Sequence, residues 1–260
     1  MGHNLLPRTP TSARWQDVVA HVAGGGSVEE VAAAAVHAAD RDLSRAARDP
    51  VFVEAVRLLA AIPIAAAGTH PGEELEALGL TCGSNPSTPA LLGAVSRRLD
   101  EAASDAGRGT DFGELSRRAL IASLVEAIDA RTPKLAPPEP GDTIRALAAL
   151  RRTDDFAALS RRFFGRLVSE ALSNWVDRIL PQHLGEDRRF ADIAAENAFA
   201  RALDVHVRET TRIIQEYASG WYGKTLGEGG AVTYDKAQRF GGYAFTKIRR
   251  ELSLRAEDDG

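Results

Sequence analysis

The segment from Asp155 to Leu180 restricts the fold more than any other. Apolar side chains recur along it on two stripes, Phe156, Leu159, Phe163, Leu167 and Ala171 on one, and Phe164, Val168, Leu172, Trp175, Val176 and Ile179 on the other. Steps of three and four residues are the period of an α-helix, and two stripes mean a helix buried on more than one side. Such a helix belongs at the centre of a bundle, and Pro181 ends it.

The same period runs through the rest of the chain. A helix over about Ala13 to Ala23 carries Trp15, Val18, Val19 and Val22 on one face and stops at Gly24-Gly25-Gly26. Ser27 and Glu30 have the spacing of a capping box, which opens a helix to about Ala47. Asp49-Pro50 supplies a capping carboxylate and a pre-set helical φ for a helix through Ala61, with Pro63 bending or ending it. A short helix follows from Pro71 to Leu78, Pro89 opens the next with Leu91, Leu92, Val95 and Leu99 apolar, and Asp111 with Glu114 forms a capping pair for a helix to about Ala130. After the central helix, a second long one is expected from about Asp187 to Ser219, ended by Gly220. A last helix starts at Thr233, and its Gly241-Gly242 marks the close approach of another helix.

No stretch alternates with a period of two, so the fold class is all-α. Thr132 to Gly141 holds four prolines in ten residues, a composition that is extended and stiff rather than helical. The expected layout is therefore two helical bundles or subdomains joined by a proline-rich linker. An alanine-rich acidic region occupies 12–131, the linker 132–141, and a C-terminal bundle with two long helices 142–256. Charge follows this division: residues 1–142 carry 13 basic and 19 acidic side chains, and 143–260 carry 19 and 17. Neither part has the strong basic excess that phosphate-backbone binding leaves, so nucleic acid is possible but not indicated.

Four lysines among 32 basic residues, with abundant alanine, suit a GC-rich bacterial genome. Cys82 is alone, which excludes an internal disulfide framework and a thiolate metal cluster and fits a reducing cytoplasm. Met1 to Ser12 lacks a basic head followed by an apolar core, and the longest apolar run, Leu58 to Ala67, is too short to span a bilayer. No membrane association, metal or cofactor is expected.

Three stretches invite a chemical reading. Ala218 to Thr225 meets a relaxed phosphate-loop pattern ending in Gly223-Lys224-Thr225, but that chemistry needs a strand leading in and a helix leading out. Here a long helix leads in, and the stretch reads instead as an interhelical turn pinned by Trp221 and Tyr222. Arg201 and His206 have the spacing of helical ribonucleases that pair an arginine and a histidine separated by four to six residues. Arg178 with His183 and Arg14 with His21 meet it too, and Ala202 stands where such enzymes usually have a polar residue. His206 also falls on the apolar stripe of its helix, the place of a semi-buried core histidine, and Asn174 and Asn197 either fix helix pairing from within or face solvent. No two histidines stand four apart, and the acidic pairs fall at helix starts or in the tail, where capping explains them.

The reading that follows is a non-catalytic interaction or scaffold subunit whose partner is another protein. Its expected contact residues are Trp221, Tyr222 and Lys224, because rigid aromatics contribute disproportionately to interfaces. The alternative is an RNA-cleaving or RNA-binding helical domain using Arg201 and His206.

Overall fold

In a computed structural model, residues 13–107, 109–133, 139 and 141–258 are described. Residues 1–12 lie outside them, as does most of the proline-rich segment. Every named element among the described residues is helical, and the only extended pairing there is an isolated bridge between Leu184 and Phe190. The chain is all-α.

Local chemistry sets most helix starts. Helix α1 spans Ala13–Ala23, and α2, Val28–Ala38, begins at Ser27, whose hydroxyl accepts from the Glu30 amide while Glu30 reaches back to the Ser27 amide. The expected continuation to Ala47 is broken at Ala39, where the short α3, Asp40–Ala46, takes over. Helix α4, Pro50–Ala66, is capped by Asp49, whose carboxylate accepts from Val51 and Phe52 and from the Thr110 hydroxyl. It runs through Pro63 rather than ending at Ala61, because thirteen fully or nearly buried neighbours hold a residue that lacks only one N–H. Helices α5, Pro71–Ala77, and α6, Thr88–Asp105, follow. Helix α7, Asp111–Asp129, is capped by Thr110 and not by Asp111, which lies in the first turn with Glu114. Helix α8 is Asp142–Ala149 with Gly141, in the left-handed region, before it.

Helix α9, Thr153–Val176, is the predicted central helix. A 3-10 turn over Leu180–His183 follows it, and then α10, Ile193–Thr210, α11, Arg212–Gly227, and α12, Tyr234–Asp258. The long helix expected over 187–219 is thus two helices. Thr210 and Thr211, both buried, donate their hydroxyls to the carbonyls of His206 and Arg208, a back-bonding that bends helices. Gly165 of α9 lies directly beneath this break, where a Cβ would stand 3.1 Å from the Thr211 hydroxyl.

Aromatic packing ties the two parts of the chain together. Phe52 of α4 stacks on Phe245 of α12 at 5.1 Å and meets Phe163 and Phe164 of α9, both at 6.4 Å. Phe112 of α7 joins them, 5.6 Å from Phe52. Gly241 of α12 faces this cluster, and a Cβ there would be 2.6 Å from the Phe52 ring, so the expected close approach is to a side chain. Helices from both sides of the proline-rich segment contribute to one hydrophobic core, and residues 132–141 therefore do not separate two cores.

Candidate functional site

The stretch Ala218 to Thr225 lies inside α11 and is not a turn. Ala218, Tyr222 and Thr225 form its inward stripe with Ile214, all of them buried. Tyr222 stacks on Phe156 of α9 at 3.8 Å, and its hydroxyl donates to the Ala60 carbonyl of α4 at 3.3 Å. Burying such a ring contributes about 2–3 kcal/mol, more than the roughly 1 kcal/mol that one helical glycine costs. Gly220 therefore does not stop the helix. It ends instead at Gly227, and Gly229 and Gly230, at φ 94° and 77°, return their amides to the carbonyls of Leu226 and Thr225.

This placement redistributes the expected contact residues. Tyr222 is fully enclosed, so it is a core residue and cannot touch a partner. Burial also pushes its phenol well above the usual range. Trp221 is half-buried, stacked on Phe240 of α12 at 4.3 Å, and Lys224 projects into solvent with Glu228 3.9 Å away. The backbone amides of Gly223, Lys224 and Thr225 belong to a helix interior, so no phosphate cradle forms there.

Arg201 and His206 are not brought together. Both lie on the regular helix α10, and five residues at about 100° each leave their side chains about 140° apart around its axis. Arg201 is exposed, whereas His206 turns toward α2, its Nδ1 3.5 Å from a Glu29 carboxylate oxygen. His206 thus holds the semi-buried place its stripe implied. Asn174 and Asn197 both face solvent. Among the described residues no group of three or more histidine, cysteine or acidic side chains is placed to hold a metal ion, and no helix is long and apolar enough to cross a membrane.

The surface with most chemical character is the seam between α11 and α12. Its floor is aromatic: Tyr217 stacks on Phe240 at 5.3 Å and meets Tyr243 at 4.6 Å, next to the Trp221–Phe240 stack. Tyr217 is half-buried, and that burial, with Tyr243 beside it, pushes its phenol up to about 12. On the α12 side rises a ridge of Arg239, Tyr243, Lys247 and Arg250, at steps of four, four and three residues. Tyr243 is 46% exposed, and the Lys247 ammonium lies 5.3 Å from its ring centroid. Lys236, one turn before Arg239, pairs with Glu228 at 3.0 Å. Arg239, Lys247 and Arg250 form no ion pair with a described residue.

Neighbouring cations are spent differently. Arg249 pairs with Asp40 and so ties α12 to α3, and Arg255 pairs with Glu251 at 3.3 Å. Beyond α11 a cavity of about 670 Å³ carries Asp154, Glu216 and Glu251 against Arg212 and Arg255, a mixed lining with no cationic excess. The apolar period of α12 marks only its buried stripe, Ala237, Phe240, Ala244, Ile248 and Leu252, and is silent about the ridge on the outer face. Its signal was present as Arg239, Tyr243 and Lys247 at four-residue spacing. Compared with protein-family models, curated proteins and solved structures, the chain matches none.

Proposed function

We propose that this chain is a non-catalytic helical interaction subunit that works by surface complementarity, with the α11–α12 seam as its contact face. The observation that carries this reading is the exposed Tyr243 set among cations that no described carboxylate neutralises. Aromatic side chains with a polar tip, backed by a rigid aromatic floor, are what interfaces use for contact area at low entropic cost. Of the contact residues expected from the sequence, Trp221 supports the floor and Lys224 lies exposed near the connection between α11 and α12, beside Glu228. The single cysteine and the alanine-rich, lysine-poor composition support a bacterial cytoplasm as its setting.

The test is recovery of the native partner by the tagged protein from its own cells, wild type against the double variant Tyr243→Asp/Arg250→Glu. Arg250 is exposed and Tyr243 is nearly half so; losing the Tyr217–Tyr243 contact is expected to cost about 0.5–1.5 kcal/mol, and circular dichroism checks that the variant is folded. A stoichiometric partner that the variant loses supports the reading. Equal recovery by the two proteins, or no stoichiometric partner for either, contradicts it.

A further inference from the structure

We infer that the α12 ridge and the aromatic floor beside it bind single-stranded nucleic acid. This rests on the seam being the contact face and names the chemistry of what it contacts.

Three observations converge. First, Arg239, Lys247 and Arg250 lie on one face of a regular helix, and the first and last of them stand about 17 Å apart along its axis. Their charges are not cancelled locally: Glu228 is occupied by Lys236 and Lys224, and Glu251 by Arg255. The acids that remain near the seam are Glu216, across α11, and Asp235 and Glu257, toward the two ends of α12. Second, Tyr243 stands in the middle of that row with almost half its surface open. An aromatic ring between cations offers a stacking platform beside phosphate contacts, the arrangement that suits a flexible single strand with unpaired bases. Third, the ring is held from behind: Tyr217, Phe240 and Trp221 form a stacked layer that fixes its position.

Other polyanions fit less well. A lipid surface would want an apolar face flanked by cations, and the ridge offers only Leu254 beyond Arg250 as a large exposed aliphatic. A duplex presents its bases edge-on, which leaves the Tyr243 platform without a role.

The experiment is fluorescence anisotropy of the full chain with labelled twenty-nucleotide oligo-U and oligo-dT, at rising salt. Three phosphate contacts on a single strand give a log–log salt slope of about −2, so affinity should fall roughly twentyfold between 50 and 200 mM. The variant Arg239→Ala/Lys247→Ala/Arg250→Ala should lose binding and its salt dependence. Tyr243→Ala should weaken binding about tenfold and Tyr243→Phe should restore it, because stacking needs the ring and not the hydroxyl. Circular dichroism confirms that each variant is folded. The inference is overturned by no binding of the wild type at 50 mM salt, by equal binding of the triple variant, or by tighter binding of a duplex of the same length. Selective binding to phosphatidylserine vesicles would overturn it as well. If the oligonucleotides stay free while Tyr243→Asp/Arg250→Glu still loses its native partner, the contact face stands and the nucleic-acid assignment falls.

Discussion

Helices α10 and α11 follow one another with a single residue between them, yet they belong to different parts of the protein. Helix α11 lies against α9 and inserts Tyr222 into the core, while α10 buries only Leu203, Val207 and Thr210 along eighteen residues. On its outer side α10 shows Ala194, Ala198, Ala202 and Val205 to solvent, the last 59% exposed. Local propensity would rank them the other way, since α10 is rich in alanine and α11 contains three glycines. The contrast shows that tertiary packing, not propensity, decides which of these helices is structural. The proposed contact face lies on the strongly anchored helix pair, where side chains are held in fixed positions.

The largest expected effect separates the two helices directly. Tyr222→Ala should destabilise the protein by about 3–5 kcal/mol, the range for deleting a buried aromatic, whereas Val205→Ala on α10 should stay within about 0.5 kcal/mol. Urea denaturation of both variants checks this, and similar losses would erase the distinction.

A smaller effect sharpens the comparison at two glycines. At Gly241 a methyl group would press on the enclosed Phe52 ring at 2.6 Å. Overpacking of about 1–3 kcal/mol, offset by about 1 kcal/mol of helix propensity, leaves Gly241→Ala destabilised by up to about 2 kcal/mol. At Gly220 a Cβ meets nothing within 4 Å, and the residue is in a helix interior. Gly220→Ala should therefore stabilise by about 0.5–1 kcal/mol. Were Gly220 the left-handed stop of a helix, the same substitution would destabilise, so thermal denaturation of this variant decides between helix and turn by its sign.

Much of the fold was legible in the sequence, and the exceptions share a cause. The stripes of the 155–180 segment gave the central helix, and Ser27 with Glu30 and Asp49 with Pro50 gave starts that the structure confirms in their hydrogen bonds. Each of these signals is carried by neighbours in the chain. Gly220 and Pro63 misled because their local preference is overruled by partners far away, Phe156 beneath Tyr222 in one case and the core around α4 in the other. The break at Thr210-Thr211 carried a weak local signal, adjacent β-branched hydroxyl residues, and only the approach of Gly165 makes it necessary. The seam was half legible. Trp221 and Lys224 stand on a helix and not in the loop that the glycines around them imply, and Tyr243 gains its significance only from Tyr217 on another helix.

The account depends most on α11 being a continuous, core-packed helix, and amide hydrogen exchange measures that residue by residue. The amides of Ala218 to Leu226 should exchange as slowly as those of α9, through global unfolding, while α10 opens earlier by local fluctuation. Exchange of Gly220 to Leu226 at the rate of an unprotected loop would contradict it.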